Sequence, residues 1–97
     1  MKLILVNNTE FDVTRVNRSL NSNDSNISLD ITIKTKKELE EIKGMLTPEA
    51  IATLTITRDE GEPSVFTGYE LTTIRQFMDN VSPNPDTVII SFKKEVN

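Results

Sequence analysis

The sequence predicts an α+β fold, mostly antiparallel β-strands with one central helix, in the order β-β-β-α-β-β-β. Three observations predict it. Residues 27–34 alternate apolar and polar side chains, which is the period of a strand that buries one face. Residues 35–46 change to helical spacing, and strand-like sequence flanks this pair on both sides. We expect the single helix to pack on a sheet or partly closed barrel, across the face lined by Ile27, Leu29, Ile31 and Ile33.

The segment before the helix has the composition of a hairpin followed by a third strand. Residues 2–6 form an apolar run that predicts a strand buried on both faces, and residues 7–10 have turn composition. Residues 11–15 alternate again and predict the return strand. Residues 17–26 are polar and without a period, so they predict a mobile loop that ends where the third strand, residues 27–34, begins.

The helix is predicted from residue 36 to about residue 46, with a capping box at its start. In that motif the hydroxyl of Thr35 accepts from the amide of Glu38, and the carboxylate of Glu38 reaches back to the amide of Thr35. Gly44 lies near the predicted C-cap. Residues 47–50 predict a second, one-turn helical start with Thr at the N-cap and Pro at N1.

Strand composition returns after the helix. Residues 53–57 and 65–69 flank an acidic turn and predict a second hairpin. Residues 70–81 fit either a helix or a strand, and the adjacent threonines Thr72 and Thr73 favour the strand. Residues 82–86 contain two prolines and predict a break. Residues 87–92 predict a last strand, buried on both faces.

The composition limits the classes of function. Residues 1–97 are of a length that predicts a single domain. The net charge of −4 and the scattered cations argue against binding to a nucleic-acid backbone. The chain has neither Cys nor His, which excludes disulfides, thiolate metal sites and imidazole catalysis. The apolar run near residue 1 is too short for a signal peptide or a membrane span, so we expect the chain in the cytoplasm where it is made.

Three acidic or polar features invite a functional interpretation. Asp59, Glu60 and Glu62 could hold a hard cation, but three carboxylates in a hairpin turn are fewer oxygen ligands than calcium needs, and a solvated turn is favoured. The polar run 21–26 has more oxygens but lacks a central Gly and a terminal Glu, so a flexible loop is favoured. The threonine row of residues 53–57 resembles ice- or polysaccharide-binding rows, yet one such row is ordinary for a half-exposed strand.

Other combinations of residues are also better explained by ordinary structural roles than by a functional site. Phe66 and Tyr69, with Arg75, could stack a base or a sugar. Aromatic residues make up only 5% of the chain, however, and we expect the core to need most of them. No Ser-x-x-Lys, Gly-x-Ser-x-Gly or glycine-rich phosphate loop is present in the sequence. We therefore predict no catalytic, cofactor-binding or metal-binding residue, and no enzyme activity.

Two segments resemble small structural proteins that Gram-positive phages and prophages encode among their tail and baseplate genes. The first is the opening run 1–5 with the polar turn 8–10 and Val13 and Val16; the second is the run 54–57, the acidic turn and residues 66–69. The resemblance covers about half of the chain by pattern and includes no catalytic motif. It implies a β-rich module that docks on a neighbouring subunit as a ring or an adaptor, in the virion.

Two functions are therefore expected. The first is a non-enzymatic phage structural or assembly protein acting through contacts with protein partners, including copies of itself, and without nucleic acid, membrane or small-molecule substrate. The alternative is a small acidic inhibitor or regulator from a mobile element that binds a host protein. The mild charge of −4 is weak for a mimic of nucleic acid. The edge strands of the predicted sheet are the surfaces a partner chain could extend.

Overall fold

The computed structural model describes residues 1–21, 25–76 and 86–95. Within them the chain forms one seven-stranded antiparallel sheet and one α-helix. The elements are β1 Lys2–Ile4, β2 Glu10–Asn21, β3 Asn26–Lys34, α1 Leu39–Met45, β4 Thr53–Thr57, β5 Ser64–Thr67, β6 Glu70–Gln76 and β7 Thr87–Glu95. The predicted fold class is confirmed. Four strands follow the helix where three were predicted, because Gly68, with φ of +79°, separates β5 from β6.

The sheet has the order β5-β4-β1-β2-β3-β7-β6 and is not closed. Its two edge strands, β5 and β6, are nevertheless consecutive along the chain and are joined only by Gly68 and Tyr69. A link of two residues spans roughly 11 Å at most between the flanking Cα atoms. The edges therefore meet at this corner, and the sheet between them has to curve through all seven strands.

The core lies on one face of this curved sheet. Leu29, Ile31 and Ile33 of β3 are fully buried there, and Ile42 of α1 and Leu46 after it belong to the same cluster. The helix thus packs on the face that the alternation in β3 predicted. The opposite, outer face carries mostly polar side chains. Of the apolar residues on it, Ile4 of β1 and Ile89 of β7 are only half-buried and Val65 of β5 is exposed. The prediction that β1 and β7 are buried on both faces is therefore wrong.

The polar segment 17–26 is not the loop that its composition predicts. β2 continues to Asn21 and pairs with β3 from Asn17 opposite Asp30 to Asn21 opposite Asn26, while residues 22–24 lie outside the described residues. Residues 17–21 lack alternation because all five side chains are exposed, and a β-bulge between Val13 and Arg15 shifts the period of the strand before them. Before the bulge the odd-numbered residues of β2 face the core, and after it the even-numbered ones do, so no single period of two runs along the strand.

The helix is shorter than predicted, and its capping box is absent. α1 begins at Leu39, and Glu38 at the N-cap makes no side-chain capping hydrogen bond. The hydroxyl oxygen of Thr35 accepts from the amide of Lys37 (3.1 Å) instead of that of Glu38. The amide of Thr35 donates to the carbonyl oxygen of Asp86 (2.7 Å) and is not available to a carboxylate. Thr35 therefore belongs to the end of the sheet.

The remaining segments follow the predictions where the structure describes them. Thr47 caps a single turn, since its hydroxyl oxygen accepts from the amide of Ala50 (3.2 Å) and its carbonyl from the amide of Ile51 (3.0 Å). The segment of uncertain type is strand β6 as far as Gln76, while residues 77–81 and most of the predicted break lie outside the described residues. β7 extends three residues beyond its predicted end. In the described part of the chain no helix has the length and apolarity needed to cross a membrane.

Candidate interaction surfaces

The acidic turn lies at one end of the β4–β5 hairpin and is exposed to solvent. Gly61 turns the chain there with φ of +92°. The guanidinium of Arg58 donates to the hydroxyl of Ser64 (2.7 Å), which ties the two sides of the turn together. In the described residues the carboxylates of Asp59, Glu60 and Glu62 belong to no group that could hold a metal ion and to no ion pair.

The residues proposed for stacking do not come together. The rings of Phe66 and Tyr69 meet edge to face, with centroids 6.0 Å apart, and Tyr69 is only 7% exposed. Arg75 stands opposite Ile89 on the outer face, on the other side of the sheet from the core. The two rings therefore serve the packing of the corner between β5 and β6, and Arg75 is separate from them.

The threonine row lies on the outer face of β4 and is half-buried. Thr55 is paired with Ile4 of β1 on one side and with Val65 of β5 on the other. Thr53 and Thr57 continue the row along the strand. Thr53 stands opposite Thr67 of β5, but Thr55 is flanked by apolar side chains and Thr57 stands opposite Lys2 of β1, so no neighbouring strand repeats the row of three.

A groove of about 480 Å³ has walls of mixed charge. It lies between the start of β2, the end of β3 and the segment before α1. The ammonium of Lys2 lies 4.0 Å from a carboxylate oxygen of Glu10 and 3.5 Å from one of Asp12. All three side chains are more than half exposed, so these pairs contribute little to stability and leave the groove without one dominant charge.

One end of the β2–β3 hairpin carries an apolar surface that the core does not cover. Past the bulge, Arg18 and Leu20 stand on the core-facing side of β2, opposite Leu29 and Ile27. Leu20 is 67% exposed, whereas Leu29 is fully buried. Arg18, Leu20 and Ile27 line a shallow depression of about 330 Å³.

Lys94 of β7 completes this surface. It is paired with Ile27 and therefore points to the same side of the sheet. Its ammonium lies 5.7 Å from the centre of the Tyr69 ring, a cation–π distance. Among the described residues neither Lys94 nor Arg18 is in an ion pair. We call the four residues Arg18, Leu20, Ile27 and Lys94 the hairpin patch.

A second exposed apolar side chain lies on the opposite face of the sheet. Val65 of edge strand β5 is 60% exposed and points outward, beside Thr55. The acidic turn directly precedes its strand. We call Val65 together with Asp59, Glu60 and Glu62 the β5 patch.

Neither patch is predicted by the sequence pattern. The composition of residues 17–26 predicts a loop at Arg18 and Leu20, and the acidic turn gives no indication of an exposed Val65 beside it. A usable signal was present, since Val13 and Val16 are three residues apart in a strand-like context, which is the spacing that a bulge produces.

Comparison of the chain with protein-family models, with curated proteins and with solved structures gives no match.

Proposed function

We propose that the chain is a non-enzymatic structural or assembly protein of a phage or prophage, associated with the tail or baseplate, and that it acts through protein–protein contacts. The observation that carries the proposal is the hairpin patch, where β2 and β3 continue beyond the core and present Leu20 to solvent. The sequence resemblance to phage tail and baseplate proteins supports the same role.

The hairpin patch has the features of a protein-binding surface. An exposed apolar side chain on a sheet face gains free energy when a partner covers it, and flanking cations give the contact specificity. The strand that carries Leu20 is held by continuous pairing with β3 from Arg15 to Asn21. A partner would therefore meet a surface that is already ordered, and little conformational entropy would be lost on binding.

The proposal is tested in a bacterial strain whose prophage encodes the chain. The gene is deleted, the prophage is induced, and particles are examined by electron microscopy and mass spectrometry. We expect the wild-type chain to be present in purified particles and the deletion to give defective tails. Normal infectious particles without the chain would overturn the proposal.

Complementation then tests the hairpin patch in the same strain. The variant Leu20→Asp changes the patch, and Ser19→Asp places the same charge on the neighbouring residue, which points to the outer face. Wild type and Ser19→Asp are expected to restore particle assembly, whereas Leu20→Asp is not. Equal restoration by both variants would show that the patch has no part in the proposed function.

A further inference from the structure

Leu20 and Val65 are the two most exposed large apolar side chains among the described residues, at 67% and 60%. They lie on opposite faces of the sheet, Leu20 on the core-facing side and Val65 on the outer side. Cations lie on the same side of the sheet as Leu20, and carboxylates predominate in the turn before Val65. The structure therefore presents two small apolar surfaces that face in different directions and differ in charge.

The charges around the two patches are complementary. Arg18 lines the same depression as Leu20, and Lys94 lies on the same side of the sheet two strands away, with its ammonium over the Tyr69 ring. In the described residues no carboxylate pairs with either cation. The turn before β5 contains three carboxylates, those of Asp59, Glu60 and Glu62. It contains one cation, Arg58, which is hydrogen-bonded to Ser64. An apolar side chain flanked by cations fits an apolar side chain flanked by carboxylates.

We propose that the hairpin patch of one copy of the chain binds the β5 patch of the next copy. Leu20 packs against Val65, and Arg18 and Lys94 face the acidic turn. The inference deepens the proposed function, on which it rests for its biological role, by naming a second copy of the chain as the partner of the hairpin patch.

The position of the two patches on opposite faces of the sheet selects a head-to-tail contact over a two-fold one. In a two-fold dimer residue i of one copy meets residue j of the other and j meets i, so the hairpin patch and the β5 patch could pair only if both lay on one surface of the chain. A two-fold contact of either patch with itself would bring cations against cations or carboxylates against carboxylates. A contact between two different patches leaves a free patch at each end of the pair. Such a contact continues until it closes into a ring or extends as a filament.

Each contact is small, since it centres on one exposed apolar side chain from each copy. We therefore expect association to depend strongly on protein concentration and to weaken with added salt, which screens exposed charges. A closed ring gives every copy two contacts and is more stable than an open pair.

The first test measures molar mass by light scattering during size-exclusion chromatography, across protein concentration. Wild-type chain is expected to form a species of several copies. Leu20→Asp brings a carboxylate to the acidic turn, and Val65→Gln removes the apolar partner of Leu20. Each variant alone is expected to be monomeric, because every contact then lacks one intact patch. Ser19→Asp and Thr73→Gln, at exposed outer-face positions elsewhere, are the matched controls and should assemble as wild type does.

Mixing the two variants distinguishes a head-to-tail contact from other arrangements. Val65→Gln retains an intact hairpin patch, and Leu20→Asp retains an intact β5 patch. An equimolar mixture should therefore form a one-to-one dimer and nothing larger. A two-fold contact predicts no such restoration, and a mixture that stays monomeric overturns the inference.

Charge reversal tests the electrostatic part of the contact. Arg18→Glu and Glu62→Lys are each expected to weaken assembly, and the double variant to recover it. Circular dichroism checks that each variant is folded. We expect all of them to fold because the altered side chains, those of Arg18, Leu20, Glu62 and Val65, are exposed.

A monomeric wild type at all concentrations, or an effect of Leu20→Asp without one of Val65→Gln, overturns the inference. Neither result bears on whether the chain is a component of phage particles. The proposed function is therefore tested separately, by the particle experiment.

Discussion

The amide of Thr35 donates a hydrogen bond of 2.7 Å to the carbonyl oxygen of Asp86. This bond extends the pairing of β3 with β7 by one step beyond Lys34 and Thr87. The chain therefore leaves the sheet only after Thr35, and α1 begins four residues later. The hydroxyl of Thr35 serves the turn in between, by accepting from the amide of Lys37.

Two substitutions at Thr35 separate its two hydrogen bonds. Thr35→Ala removes only the exposed bond to Lys37 and should lower the free energy of unfolding by about 0.5–1 kcal/mol. Thr35→Pro also removes the donor to Asp86 and should cost about 2–3 kcal/mol. Urea unfolding followed by circular dichroism measures both. Equal costs would mean that the bond to Asp86 does not hold the end of the sheet.

Thr47 is the threonine that caps a helical turn. Thr47→Ala removes the acceptor for the amide of Ala50 and should lower the free energy of unfolding by about 1 kcal/mol. Thr47→Ser retains the hydroxyl and is the control, expected to stay close to wild type in a thermal melt. A loss as large in the serine variant would point to the methyl group of Thr47 and not to its hydrogen bond.

The two leucines on the same side of the β2–β3 pair should respond very differently to truncation. Leu29→Ala leaves a cavity in the core and should cost about 2–5 kcal/mol. Leu20→Ala, at a position 67% exposed, should change the free energy of unfolding of the monomer by no more than about 0.5 kcal/mol. Chemical denaturation at low protein concentration compares them. A large loss at Leu20 would show that it is buried, and would argue against the hairpin patch.

Two glycines give opposite predictions for the same substitution. Gly68 has a φ of +79°, and a Cβ added there would lie 3.3 Å from Cε of Lys94. Gly68→Ala should therefore destabilise the fold by about 1 kcal/mol or more. At Gly44, within α1, a Cβ would meet nothing within 4 Å, so Gly44→Ala should stabilise by about 0.5–1 kcal/mol. Thermal melts of the two variants should shift in opposite directions. A shift in the same direction would contradict the conformation at one of the two sites.

The sequence was a good guide wherever one period held over a whole element. The alternation in residues 27–34 and in residues 53–57 matches β3 and β4 closely, because each strand buries one face along its length. The length of β2 is not predicted because its residues 17–21 are polar and exposed, and because the bulge after Val13 changes which residues face the core. The capping box failed because Thr35 is held by a contact with Asp86, about fifty residues away, which no local motif can reveal.

The patches were hidden for a related reason. Arg18 and Leu20 share a face because they are two residues apart, and the bulge makes this the core side by placing even-numbered residues of β2 there. The exposure of Leu20 depends on where the core ends, and that is set by the distant packing of α1 and β7. Local sequence carries the strand propensity of such a segment but not its position relative to the core.

The two-residue link between β5 and β6 also bears on how the chain avoids aggregation. Open sheets are prone to pair edge to edge and form fibrils, because both edges offer unpaired backbone groups. Here the edges converge at Gly68 and Tyr69, so an added strand would be blocked at that corner by the opposite edge. β6 carries in addition a bulge between Leu71 and Thr73. The link thus lets the chain keep an open sheet for side-chain contacts while denying foreign strands a long, straight edge to extend.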